Sequence, residues 1–205
     1  MLITVSREFG ACGSLVAERV ATLLGWRLVD NQLVEEVARR AGMSEQEVKE
    51  KEERAPTFVE RLSRALAAAT PELLTPDPVE LPEAEEARLV KITEQVVADA
   101  VQDHAVLVGR AATALVGRRE NALHVRVVGP VNYRAQVVSE RLGISLDEAG
   151  RRVRDIDAHR ARYHRQYYNR DWAEPAGYDL VVNTGWLGVE RAAAVIVAAV
   201  RKAQP

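Results

Sequence analysis

A chain of 205 residues, 47% hydrophobic and 28% charged, has the make-up of a globular protein, with room for one α/β domain and an inserted subdomain but not for two independent enzymes. Its net charge of −2 gives no global basicity, which argues against nucleic acid as a partner and makes any cationic site a local one. Cys12, the single cysteine, excludes an internal disulfide and a cysteine-rich zinc site, while no charge-free stretch reaches membrane-spanning length and the N-terminus does not read as a leader, so a cytoplasmic location is expected.

Residues 2–6 read as a strand that runs into Arg7-Glu8-Phe9-Gly10-Ala11-Cys12-Gly13-Ser14. A helical pattern follows, with Leu15, Val16, Ala17, Val20, Leu23 and Leu24 as its apolar positions. Strand, glycine-bearing turn and helix in this order suit a phosphate. Glycines let backbone N–H groups curl around an anion, and the helix N-terminus adds partial positive charge. The pattern G-x-x-x-x-G-K-[ST] requires a lysine before its Ser or Thr. Here Gly13 precedes Ser14, and the first lysine of the chain is Lys49. Cys12 in this turn has a redox reading, but a small residue tolerated in a tight loop is the plainer one.

Gly25 ends the first helix, and residues 26–30 read as a second strand. Helices are expected over residues 32–40, over 44–54 behind the capping box Ser44-Glu45-Gln46-Glu47, and over 58–69. Pro71, Pro76, Pro78 and Pro82 mark an extended connection before a long helix over 83–101. Residues 105–109 form a short apolar run suited to a buried parallel strand, and 123–128 a second, less cleanly apolar one. A helix over 132–142 follows Pro130, and Ser145-Leu146-Asp147-Glu148 caps another that runs to residue 168. The last strand is expected over 178–183 and the closing helix over 189–200. Strands alternating with helices predict a parallel sheet covered on both faces.

In such a sheet the binding crevice lies beyond the carboxyl ends of the strands. The residues there are Arg7, Asp30, Gly109-Arg110, Gly129 and Asn183-Thr184-Gly185. The arginines suit bidentate phosphate binding, and Asp30 suits a metal-bound water or a substrate hydroxyl. A second concentration of charge runs from Arg151 to Arg165, with Asp157 and Arg160 on one helical face. Guanidinium groups gathered this way fit phosphoryl transfer, which rests on positioning and neutralising charge. A solvated, salt-bridged helix face accounts for the same pattern, and an RNA-binding helix is a third reading, against which Asp155 and Asp157 interrupt the cluster.

Ser6-Arg7-Glu8-Phe9-Gly10 with Gly13, then Val108-Gly109-Arg110, Asp157-x-x-Arg160 and Tyr178-Asp179-Leu180-x-x-Asn183-Thr184-Gly185 resemble the cytidylate kinase-like family, a divergent branch of the nucleoside monophosphate kinases. The resemblance spans residues 3–197. It implies an α/β three-layer P-loop kinase-like fold around a five-stranded parallel sheet, with a helical insertion at 44–102 that grips the acceptor and an arginine-rich lid helix at 145–170. By the same resemblance Gly10, Ala11, Cys12, Gly13 and Ser14 wrap the donor phosphates, with Ser14 approaching Mg²⁺. Arg110 holds the acceptor nucleotide, Asp157 and Arg160 belong to the lid, and Asn183 to Gly185 lie beside the donor base. The chain departs from the family's kinases where Arg7 replaces the first glycine of the loop and Gly13 its lysine.

The expected function is ATP- and Mg²⁺-dependent phosphoryl transfer to a nucleoside monophosphate, CMP first, with Arg7 and Arg160 supplying the missing charge. A catalytically weak nucleotide- or phosphate-binding protein is the alternative, and an RNA-binding module the third. The insertion is expected to be a moving flap or, equally, a fixed layer or homo-oligomer surface.

Overall fold

The computed structural model describes residues 1–30, 104–109 and 112–203, with Lys91 and Gln95 as isolated helical positions. The helices expected over 32–40, 44–54, 58–69 and 83–101, and with them the 44–102 insertion, lie outside the described residues, as does Arg110.

Five strands form one parallel sheet: β1 (Leu2–Arg7), β2 (Arg27–Val29), β3 (Ala105–Val108), β4 (Ala122–Val128) and β5 (Leu180–Asn183), in the spatial order β2-β3-β1-β4-β5. β1 is central, pairing Leu2 with Ala105 on one side and with Ala122 on the other. Its residues from Leu2 to Ser6 are buried, as the run of small and β-branched side chains requires of a strand covered on both faces.

The alternation of side chains sorts the two faces. Ile3 and Val5 of β1, Val106 and Val108 of β3, Val125 and Val127 of β4, and Val182 of β5 meet one apolar layer. That layer is α1 (Gly13–Leu24), through Val16, Ala17 and Val20, and α5 (Thr184–Ala203), through Ala192, Ala193, Ile196 and Val200. The intervening positions Thr4, Ser6, His124 and Arg126 are buried on the other face, and their polar groups are bonded there. Thr4 Oγ1 bonds Thr113 Oγ1 of α2 (Ala112–Val116) at 3.0 Å and His124 Nδ1 at 2.7 Å, and His124 Nε2 lies 2.8 Å from the Gly117 carbonyl.

α3 (Val131–Leu142) and α4 (Leu146–Tyr168) pack on each other through Ala135, Val138, Ala149 and Val153. Ser145 caps α4, its hydroxyl accepting from the Glu148 N–H as the capping box predicts. Two elements differ from expectation. α2, a five-residue helix between Gly109 and Gly117, has no forecast counterpart. α5 begins at Thr184, but Gly188 breaks it with φ 67° and ψ 179°, so the regular stretch starts at 189 as expected.

Candidate phosphate-binding site

The loop between β1 and α1 is clamped from several directions. Gly10 has φ +81°, and a Cβ there would lie 2.7 Å from the Arg134 carbonyl oxygen and 2.9 Å from Val138, so glycine serves both conformation and contact with α3. Both backbone groups of Phe9 are held: its N–H donates to Asp157 Oδ1 at 2.9 Å, and its carbonyl accepts from Arg134 Nη1 at 3.1 Å. Arg160 Nη1 donates to the Arg7 carbonyl at 2.7 Å, and Thr184 Oγ1 to the Ala11 carbonyl at 2.8 Å.

A charge network underlies these contacts. Arg134, 5% exposed, donates to Asp157 Oδ2 at 2.5 Å and to the Gly129 carbonyl at 2.8 Å, and its Nε lies 3.2 Å from Glu8 Oε2. Glu8 also accepts from the Gly129 N–H at 3.1 Å and faces Arg126 Nη2 at 3.6 Å. Arg126 donates to the Trp172 carbonyl and lies over the Trp172 ring, 4.2 Å from its centroid. Glu8 is therefore committed to Arg126 and Arg134, a partly buried structural ion-pair cluster that leaves Arg7 aside.

The loop faces a cavity of about 380 Å³. Gly10, Cys12, Gly13, Ser14 and Leu15 line it together with Arg7, Arg141, Arg152 and Arg160, and among the described residues Glu8 is its one acid. Among the described residues, the N–H groups of Gly10, Cys12, Gly13, Ser14 and Leu15 find no protein acceptor, and no side chain caps α1. Cys12, at the N-cap, has φ 56°, a left-handed conformation that side chains rarely adopt. Nor does any hydrogen bond or ion pair among the described residues engage the half-buried Arg7 guanidinium. Orphan donors at a helix start, ringed by guanidinium groups, attract an anion.

The structure thus brings Arg7, the Gly10–Ser14 turn and Arg160 to one cavity. Ala11 is fully buried and contributes its carbonyl to Thr184. Asp157 commits its two carboxylate oxygens to Phe9 and Arg134. Asn183 Oδ1 accepts from the Gly185 N–H at 2.9 Å, and a Cβ on Gly185 would lie 2.5 Å from Pro130 Cδ, so this pair shapes the start of α5. Asp30 follows β2, with β3 between that strand and β1. Arg134, Arg126, Arg141 and Tyr133 escaped sequence reasoning. Tyr133 Oη lies 3.9 Å from Cys12 Sγ; burial, and then the Cys12 thiol, push its phenol above the ordinary value of 10.0.

A family model described as the cytidylate kinase-like family matches residues 2–185. The chain belongs to this family. A cytidylate kinase from Thermococcus sibiricus is 32% identical over 108 residues, 52% of this chain and 55% of that protein. The chain spans 19% of the length of another curated relative, a uronate isomerase from Corynebacterium glutamicum, and so less than two thirds of either. An uncharacterised protein from Eubacterium ventriosum has the same fold at a TM-score of 0.70 and 20% identity, with 98% of each chain covered. A shikimate kinase from Acinetobacter baumannii superposes with a TM-score of 0.53 at 13% identity, covering 99% of this chain and 94% of that one. The fold is therefore that of the P-loop kinases, and the family supports a kinase-like use of nucleotides. No helix among the described residues is long and apolar enough to cross a membrane.

Proposed function

We propose that this protein transfers a phosphoryl group from ATP to a nucleoside monophosphate, with CMP as the first acceptor, in the cytoplasm. The observation that carries this reading is an Arg7 guanidinium that no described residue engages, beside five amides without an acceptor among the described residues, all lining one cavity. A P-loop lysine contributes a fixed positive charge at the transferred phosphate. Arg7, seated on the end of the central strand, supplies a charge there before any ligand arrives, which is the preorganisation that electrostatic catalysis requires. Arg160 closes the same cavity while its Nη1 holds the Arg7 carbonyl, so it fixes the resident cation and adds charge beside it.

Ser14 is exposed at the cavity and offers one hydroxyl oxygen to Mg²⁺, a cation that takes most of its remaining ligands from phosphates and water. Among the described residues no cluster of carboxylates would compete for the ion. Bound Mg²⁺ would supply neutralisation of the donor phosphates. Asp157 acts within this proposal through the loop, by holding the Phe9 N–H. Arg110 and the 44–102 insertion are assigned to the acceptor, and Asn183 and Gly185 to the neighbourhood of the donor base.

A coupled assay over a panel of nucleoside monophosphates tests the proposal. Arg7→Ala should lower kcat about a hundredfold while raising the KM for ATP much less, because a contact that strengthens in the transition state is lost. Unchanged turnover in that variant refutes the role of Arg7. A wild type inactive on every monophosphate, yet binding ATP, supports the binding-protein alternative, which the absent lysine favours.

A further inference from the structure

Gly13 sits at the start of α1 in ordinary helical backbone, so no left-handed conformation calls for glycine there. Within a helix glycine is less stable than alanine. Its advantage here is space. A Cβ on residue 13 would lie 2.3 Å from Arg7 Cβ and 2.8 Å from Arg7 Cγ. These atoms are at the root of the arginine, where rotation of the outer side chain brings no relief. Nor is the Arg7 backbone free to retreat. It is registered opposite Val127 in the β1–β4 ladder, the next N–H donates to the Val127 carbonyl at 3.0 Å, and Arg160 holds its own carbonyl.

We infer that positions 7 and 13 form one steric exchange, in which the loop admits a long cationic side chain from the strand end or from the helix start, but not from both. In this chain the cation enters from the strand, and Gly13 is the consequence of Arg7 rather than an independent loss. The inference rests on the reading of the cavity as a phosphate site for its cationic half; the exclusion itself is a packing statement. Neither half requires the acceptor to be known.

The test is a pair of cycles on the full chain. In the first, thermal denaturation follows Gly13→Ala in the wild type and in Arg7→Gly. The alanine should lower Tm by about 5 °C or more in the wild type and by less than half as much once Arg7 is gone. In the second, calorimetry with inorganic tripolyphosphate follows Arg7→Gly, Gly13→Lys and the double variant. Each single change should weaken binding about tenfold or more, and the double should return to within about threefold of the wild type. Equal Tm shifts in both backgrounds beside normal binding overturn the exclusion, and a double variant no tighter than Arg7→Gly overturns the exchange of cations. A wild type that ignores tripolyphosphate while the Tm coupling persists overturns the phosphate reading and the cationic half with it. Should Gly13→Lys fail to fold, the alanine cycle still decides the exclusion.

Discussion

At the scale of single residues, the loop depends on atoms that are absent as much as on those present. Gly10→Ala would place a methyl 2.7 Å from the Arg134 carbonyl while forcing a side chain into φ +81°. It should cost about 2–4 kcal/mol, read as a lowered urea midpoint with an unchanged slope. Tyr133 carries a pH prediction. Its phenol is raised in the fold by burial and by Cys12, so the native state retains a proton that the unfolded chain gives up. The associated stability is present below pH 10.0 and is lost as pH rises through the folded value. Denaturant midpoints above pH 10 should therefore fall less steeply in Tyr133→Phe than in the wild type. Arg7, Gly10 and Gly13 were legible because they share one short segment at a strand end. Arg134 was not: one arginine in Val131-Asn132-Tyr133-Arg134-Ala135-Gln136-Val137 has the pattern of a solvated helix face, and only the return of Asp157 and Glu8 from distant segments makes it a buried brace.

At the scale of elements, α4 is docked on the β1–α1 loop by two side chains one turn apart, Asp157 on Phe9 and Arg160 on Arg7. Through Arg152, Ile156 and Arg160 the same helix lines the cavity. Asp157→Ala should cost about 3 kcal/mol, because it strips a hydrogen bond from Phe9 and a partner from a buried guanidinium. Asp157→Asn keeps an acceptor for Phe9 and should cost less. Equal losses in chemical denaturation would show that the Phe9 contact contributes nothing. The capping box at Ser145, the apolar run of β3 and the glycine that ends α1 were readable locally, since each is a short-range device. α2 was not, because five residues between two glycines are too few to show a helical period. The second strand after the long interval read as less cleanly apolar for a physical reason: His124 and Arg126 share the face on which Thr4 and Trp172 satisfy them.

At the scale of the molecule, a net charge of −2 coexists with a cavity ringed by four arginines. Under the proposed function, attraction of ATP is then a local field rather than a global one, and raising ionic strength from about 0.05 to 0.5 M should raise the KM for ATP while leaving the thermal midpoint nearly unchanged. A KM indifferent to salt would remove the arginines from ATP capture. The order of the strands has a consequence for biogenesis. Of the five strands β1 leaves the ribosome before the others, yet it lies at the centre of the sheet and hydrogen-bonds to segments that begin at Ala105 and Ala122. At roughly 5–20 residues per second, its apolar residues wait several seconds or longer for their first neighbour in the sheet. The segment that carries Arg7 is therefore, during synthesis, a strand without its sheet partners until β3 emerges, and α1 is the described element that can cover its apolar face in that interval.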